Sequence, residues 1–175
     1  MDNTLVFDDL ITPAQCKEII SKYSELEKKD LETYLAYEWR DLKFEEEPWL
    51  KPVLQLIITE YIKAFPSMQY TNTVFECESW RFKHFPPGYH FSNWHSEHSY
   101  EYPYRVACVI LYLSDHDCGT EFFSNKEVIQ SKMGRAVIFP TFWTHTHRGQ
   151  LCPENKDRYI MSAYFNLTNR PSQPS

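Results

Sequence analysis

Two segments near the start of the chain carry hydrophobic residues at the spacing of an amphipathic helix. Thr12-Pro13-Ala14-Gln15 supplies an N-cap, a proline at the first helical position and a capping-box glutamine, so a helix is predicted over residues 13–29. A second stripe runs from Leu50 to Phe65, with Pro52 in its first turn. Residues 1–70 are therefore predicted to be helical, with the second helix lying across a sheet.

After Thr71 the hydrophobic period changes from 3.6 towards 2. Short runs rich in Val, Ile, Phe and Tyr are separated by turn residues, and no helical pattern lies between them. This predicts an antiparallel jelly roll, the double-stranded β-helix, with two helices packed on one sheet. We expect one domain over 1–167, with the jelly-roll core at 71–167 and a frayed tail at 168–175. The predicted strands are 73–85, 105–113, 120–123, 127–130, 134–139 and 158–166.

Composition narrows the class of protein further. The 175 residues are 42% hydrophobic and 24% charged, which is ordinary for a globular domain. With 24 acidic against 18 basic side chains the net charge is −6, so nucleic acid is not an expected partner. No apolar run is long enough to cross a bilayer, and the acidic start of the sequence lacks the basic residues of a secretory signal. A cytoplasmic protein with no membrane segment is predicted.

The five cysteines are odd in number, widely spaced and without a CxxC pair. Neither a disulfide framework nor a zinc knuckle is predicted from such spacing. We expect most of them to be small buried thiols.

The candidate chemistry begins with the histidines, all of which lie between positions 84 and 147. His95-Ser96-Glu97 places an imidazole and a carboxylate two residues apart, and His145 and His147 follow about fifty residues later. Two histidines and one carboxylate on a β-scaffold form the facial triad that holds ferrous iron with three positions open. Zinc is the competing metal, because the same ligands serve hydrolytic zinc sites.

Arg158 opens a predicted strand eleven residues after His147. An arginine on an inward face is costly to bury without an anion, and its planar guanidinium suits bidentate capture of a carboxylate. A bound dicarboxylate is one candidate partner, and a salt bridge within the protein is the alternative. On the predicted strand, Arg158 shares its face with Ile160, Ser162 and Tyr164. The acidic candidates for a salt bridge with it are Glu76, Glu78 and Glu121.

Over residues 5–167 these features together resemble the iron(II)- and 2-oxoglutarate-dependent oxygenases, within them the prolyl-4-hydroxylase-like branch. The chain start is similar to the entry into that branch's first helix. Four later motifs are similar to those of the branch in order and separation. Along the chain they correspond to the ligand loop with the strand after it, then a turn, then the segment with the distal histidine, and last the strand with the basic anchor. They read FPPGYHFSNWHSEH with YRVACVILYLSD, CGTEF, GRAVIFPTFWTHTHRG and RYIMSAYFN.

The resemblance implies a role for each matching residue. Iron is expected on His95, Glu97 and His147, with His147 favoured over His145 by its distance from the basic anchor. Arg158 is expected to hold the distal carboxylate of 2-oxoglutarate, helped by Tyr112. Substrate contacts are predicted at Arg105 and Trp143. Molecular oxygen is the second cosubstrate, and ascorbate an auxiliary reductant.

The sequence departs from the family pattern at two of its positions. Glu97 stands where aspartate is usual, and Phe85 where many prolyl hydroxylases have a tyrosine. A carboxylate ligand is nevertheless present, whereas related halogenases have a small residue there, so hydroxylation is the expected reaction.

The predicted function is hydroxylation of a C–H bond with release of succinate and carbon dioxide. The substrate is a prolyl residue of a peptide or protein, or another amino-acid-like small molecule. A non-catalytic cupin- or lectin-like binding module is the alternative from another class. The offset of Arg158 from His147 argues against that module, because a metal-bridged sugar site does not require it.

Overall fold

The computed structural model describes residues 3–25, 38–71, 74–78, 80–153 and 155–168. Helix α1 begins after Thr12, whose hydroxyl accepts from the Gln15 amide while the Gln15 side chain accepts from the Thr12 amide. This is the capping box that the sequence predicts. The helices are α1 (Pro13–Ser24) and α2 (Leu50–Ala64), with 3₁₀ turns at Pro66–Thr71 and Trp143–His145.

The strands of the described residues form two antiparallel sheets that are not closed into a barrel. The larger has the order β1-β8-β5-β10-β4-β2, with β3 pairing to β10, and the smaller has the order β7-β6-β9. The mainly antiparallel jelly-roll core is therefore confirmed. The strands are β1 (Leu5–Phe7), β2 (Glu38–Leu42), β3 (Val74–Cys77), β4 (Trp80–Phe85), β5 (Arg105–Tyr112), β6 (Gly119–Phe122), β7 (Val128–Gln130), β8 (Ala136–Pro140), β9 (His147–Gly149) and β10 (Arg158–Thr168).

Two hydrophobic cores lie on opposite faces of the larger sheet. One core packs α1 and α2 against that sheet, as predicted, and buries Met161, Ala163 and Phe165 of β10. The other core fills the space between the two sheets and takes Ile160 and Tyr164 from the same strand. Side chains alternate across a strand, so β10 contributes to both cores.

The structure differs from the predicted elements in several places. The segment predicted as wholly helical also contains β1 and β2, which are too short to give a clear period. The run 73–85 divides into β3 and β4, and β9 was not predicted. The end of the first helix prediction at 26–29 and the tail beyond 168 lie outside the described residues. The division into a single domain stays a prediction.

The cysteine prediction is wrong for one pair. Cys118 and Cys152 form a disulfide, with their Cα atoms 4.9 Å apart across a sequence separation of 34. Cys118 directly precedes β6, and Cys152 follows β9, which pairs with β6. Pairing of the two strands brings the cysteines together, and spacing alone gives no sign of it. The remaining cysteines, Cys16, Cys77 and Cys108, are free thiols.

None of the helices in the described ranges has the length and apolar content needed to cross a membrane.

Candidate active site

The backbone brings His95 and His147 side by side. The His95 amide donates to the His147 carbonyl at 3.0 Å, and the His147 amide donates back to the His95 carbonyl at 2.9 Å. This isolated antiparallel bridge attaches the loop before β5 to the first residue of β9. The two imidazole rings, with centroids 4.4 Å apart, consequently face the same space.

Hydrogen bonds to main-chain carbonyls orient both rings. The Nδ1 of His95 lies 3.0 Å from the Asn93 carbonyl, and the Nδ1 of His147 lies 3.0 Å from the His145 carbonyl. A carbonyl oxygen only accepts, so Nδ1 carries a proton in each ring and Nε2 is the nitrogen directed towards Glu97. Burial also lowers the pKa of His147 to about 4, so this imidazole is neutral at pH 7 and ready to bind a metal.

Glu97 completes a three-residue cluster with these histidines. Its Oε1 lies 3.5 Å from the Nε2 of His95 and 3.9 Å from the Nε2 of His147. The three ligand atoms are all within 4.8 Å of one another. Burial by itself raises the pKa of this carboxyl, but the contact with His95 and the charge of Lys83 outweigh it and bring the pKa below its ordinary value. Glu97 is therefore ionised at neutral pH and offers a charged carboxylate beside the two imidazoles.

His145 lies apart from this cluster. It ends the 3₁₀ turn Trp143–His145, its Nδ1 is 2.9 Å from the Thr144 hydroxyl, and its ring packs near Phe122 and Phe139. Among the described residues, the structure brings His147 and not His145 to Glu97.

The cluster opens into a cavity of about 180 Å³ between the two sheets. The wall is made by the inward faces of β4, β5 and β10, by β6 and by the loop that leads to His95. The residues lining it are Arg81, Lys83, Phe85, Phe91, His95, Glu97, Tyr102, Arg105, Cys108, Ile110, Tyr112, Thr120, His147, Gly149, Arg158, Ile160, Ser162 and Tyr164.

Arg158 lies at the wall of this cavity with its side chain almost fully buried. Its Nη1 approaches the Cys118 sulfur and the Gln150 carbonyl at 3.4 Å, its guanidinium stacks 4.4 Å from the Phe85 ring, and its Nε has no hydrogen-bond partner. Within the described ranges Arg158 makes no ion pair. Of its three acidic candidates, Glu78 pairs with Arg105, Glu121 pairs with Arg148, and Glu76 is exposed on β3.

The surroundings of Arg158 leave it charged and poorly solvated. Burial lowers its pKa to about 10, partly offset by Tyr112, and the guanidinium stays protonated at pH 7. A β-carbon at Gly149 would lie 3.0 Å from Nη2, so glycine leaves the guanidinium its space. A buried cation without a carboxylate partner favours binding of an anion from the cavity.

Tyr112 reaches the same part of the cavity from β5. Its hydroxyl contacts the Thr120 hydroxyl at 2.7 Å and the Ile129 carbonyl at 3.2 Å. The sequence pattern assigns no role to Thr120, although this residue lies inside the CGTEF motif that carries part of the resemblance. Its position beside Tyr112, on the wall that also holds Arg158, makes it a further hydroxyl available to a bound anion.

The two predicted substrate contacts lie in different surroundings. Arg105 lines the cavity, where its Nη1 is 3.8 Å from the Glu97 Oε2 and its other nitrogens bind Glu78. Trp143 is 79% exposed and lies outside the residues that line this cavity. The structure therefore brings Arg105, but not Trp143, next to the cluster.

No protein-family model and no curated protein matches the chain, but many solved structures do. A viral collagen prolyl hydroxylase from Paramecium Bursaria Chlorella virus-1, in complex with 2-oxoglutarate, superposes with a TM-score of 0.73 at 15% identity, over 95% of this chain and 97% of that one. A Trichoplax adhaerens prolyl hydroxylase, in complex with a hypoxia inducible factor peptide fragment, gives 0.75 at 10% identity, over 95% and 84%. HygX from Streptomyces hygroscopicus, with nickel and 2-oxoglutarate bound, gives 0.67 at 10% identity, over 95% and 83%.

These similarities define the class by its fold. The chain has the fold of the iron(II)- and 2-oxoglutarate-dependent oxygenases. The prolyl hydroxylases among its structural neighbours support the branch that the sequence motifs resemble. Identities of 10 to 15% support the fold alone, and the chemistry of the site depends on this chain's own residues.

Proposed function

We propose that the chain is an iron(II)- and 2-oxoglutarate-dependent dioxygenase that hydroxylates a C–H bond and releases succinate and carbon dioxide. The observation that carries the proposal is one cavity lined by both the His95, Glu97 and His147 cluster and the buried cation of Arg158. A metal-ligand set and an anion anchor on the same cavity suit a cosubstrate that chelates a metal at one end and carries a carboxylate at the other.

The donor set fits ferrous iron. Two imidazoles and one carboxylate form the facial arrangement in which half of an octahedral metal's positions are left to ligands from solution. His95 and His147 are held by main-chain acceptors on Nδ1, which fixes both rings before any metal arrives. Iron held there supplies the oxidative chemistry with molecular oxygen, and the protein supplies position and exclusion of water.

The cosubstrate anchor fits a dicarboxylate. Arg158 offers an unsatisfied Nε and a weakly engaged Nη1 to the cavity, so a carboxylate gains charge-assisted hydrogen bonds there. Phe85 and Ile160, on the same wall, suit the methylene groups between the two carboxylates of 2-oxoglutarate.

For the substrate we propose a prolyl residue of a peptide or protein, or another amino-acid-like molecule. The prolyl hydroxylase among the neighbours that holds a peptide fragment supports a peptide partner. The loop over 86–104 carries exposed rings that suit contacts with an extended chain, at Tyr89, Tyr100, Tyr102 and Tyr104. Substrate contacts by Arg105 and Trp143, and the absence of nucleic acid as a partner, stay predictions of the sequence.

Succinate formation tests the proposal directly. Purified protein with Fe(II), 2-oxoglutarate, ascorbate and oxygen is expected to form succinate slowly without substrate, and faster with proline-containing peptides or free amino acids of matching structure, which mass spectrometry then finds 16 Da heavier. Glu97→Gln is expected to abolish both products, whereas Glu121→Gln, whose carboxylate binds Arg148 away from the cluster, keeps them. Metal and 2-oxoglutarate binding without any succinate would instead identify a binding module.

Loss of the Tyr112 hydroxyl is expected to weaken the binding of 2-oxoglutarate only slightly. To bind the carboxylate, this hydroxyl must give up its contacts with Thr120 and Ile129, so one hydrogen bond replaces another. A net difference of about 0.5–1.5 kcal/mol corresponds to about two- to tenfold weaker binding for Tyr112→Phe. Calorimetric titration of metal-loaded protein under anaerobic conditions measures it, and a hundredfold loss would show that Tyr112 is a principal anchor.

A further inference from the structure

The two carboxylate oxygens of Glu97 have different surroundings. Oε1 faces the Nε2 atoms of both histidines and accepts a hydrogen bond from the Tyr164 hydroxyl at 3.3 Å. Oε2 is the oxygen nearer Arg105, whose Nη1 lies 3.8 Å from it. The glutamate is therefore already oriented, with one oxygen towards the metal ligands and the other towards a cation.

Arg105 is held rigidly in the position from which it faces Oε2. Its Nε and Nη2 donate to the two carboxylate oxygens of Glu78, at 3.0 and 2.7 Å. Its guanidinium is stacked between the rings of Tyr102 and Tyr164, at 3.6 and 3.8 Å from their centroids. These contacts leave Nη1 as the nitrogen directed at Glu97.

The surrounding main chain and side chains fix this arrangement further. The Arg105 carbonyl accepts from the Thr141 hydroxyl at 2.6 Å, and His98 contacts the same oxygen at 3.2 Å. Asn166 donates to the Glu78 carboxylate at 3.0 Å. Arg105 is buried, so the charge that faces Oε2 is weakly screened by solvent.

We propose that Arg105 is a positioning residue that makes Glu97 bind the metal through Oε1 alone. Glutamate carboxylates bind metal ions through one oxygen or through both. Glutamate is one methylene longer than the aspartate usual in this class, and the additional rotatable bond lets its carboxylate turn so that both oxygens reach the metal. Attraction of Oε2 to Arg105 opposes that rotation and keeps one coordination position open for the cosubstrate.

This proposal rests on the proposed function. It predicts that replacing Arg105 changes the affinity for 2-oxoglutarate differently from the affinity for the metal. In Arg105→Met, Glu97 is expected to use both oxygens, so Co(II) affinity is unchanged or tighter and the visible absorption spectrum of bound Co(II) changes. Binding of 2-oxoglutarate is expected to weaken about ten- to hundredfold, although Arg158 is intact. Arg105→Lys, which keeps the charge, is expected to recover part of that affinity.

Calorimetry of Co(II) and then of 2-oxoglutarate, under anaerobic conditions, separates the outcomes. Arg135→Met, which breaks an arginine pair with Asp8 away from the cavity, is the matched control and is expected to behave as wild type. Because Arg105→Met leaves Glu78 unpaired, a double variant with Glu78→Gln is measured beside it as the neutral replacement. Unchanged 2-oxoglutarate affinity with an unchanged Co(II) spectrum, or an equal loss of both affinities, overturns the proposal. A wild-type protein that binds neither Co(II) nor 2-oxoglutarate would instead refute the proposed function.

Discussion

Arg158→Met is expected to weaken 2-oxoglutarate binding by about 30-fold to several thousand-fold, while metal affinity stays within a few fold of wild type. Removal of one partner of a buried, hydrogen-bonded charge pair costs about 2–5 kcal/mol, which corresponds to that range of affinity. Among the described residues His95, Glu97 and His147 have no contact with Arg158, so the cluster is expected to be unaffected. Anaerobic titration of 2-oxoglutarate into metal-loaded protein gives the dissociation constant.

Thermal unfolding supplies the control for this variant. In the absence of 2-oxoglutarate, Arg158 is a buried charge without a carboxylate partner, and a methionine there avoids its desolvation. The ligand-free variant is therefore expected to unfold at the same temperature as wild type or higher, and to lose the stabilisation that 2-oxoglutarate gives. Wild-type affinity in a folded Arg158→Met protein would mean that the anchor lies elsewhere.

His147→Ala is expected to abolish stoichiometric metal binding, while His145→Ala retains it. The first substitution removes one of three ligand atoms from the cluster. The second removes a ring outside the cluster and leaves the main-chain carbonyl that holds the His147 Nδ1 in place. Metal content after equilibrium dialysis against Fe(II) or Mn(II), together with the unfolding temperature of each variant, separates ligand loss from misfolding.

The opposite ranking of these two variants would contradict the assignment. Side-chain alternation alone could not distinguish the two histidines, because residues two apart in an extended segment face the same way. The choice of His147 depended on its distance from the basic anchor. The structure places His145 at the end of a 3₁₀ turn and His147 at the start of β9, so the two imidazoles lie in different surroundings.

Features that depend on local period were predictable. The prediction of a strand over 158–166 placed Arg158 on one face with Ile160, Ser162 and Tyr164, and all four line the cavity. The N-cap of the first helix followed from Thr12 and Gln15 in the same way. In both cases the residues that determine the feature are close in sequence, so a short stretch of sequence is enough to predict it.

Features that depend on distant pairing were not predictable. The Cys118 to Cys152 bridge and the Arg105 to Glu78 pair join residues 34 and 27 positions apart, and only the pairing of strands brings their side chains together. The Tyr112 hydroxyl was expected to serve a carboxylate, and its contacts with Thr120 and Ile129 depend on how β6 and β7 cross the end of β5. No local pattern encodes such contacts.

Even-numbered and odd-numbered residues of strand β10 lie on opposite faces of the larger sheet and have different roles. Even positions from Arg158 to Tyr164 serve the cavity, and odd positions from Met161 to Phe165 pack against the helices. Substitutions at even positions can therefore retune ligand binding while the helical layer keeps its packing. Insertion or deletion of one residue in this strand would exchange the two sets, because every side chain would move to the opposite face. The strand therefore accepts changes of residue type far more readily than changes of length.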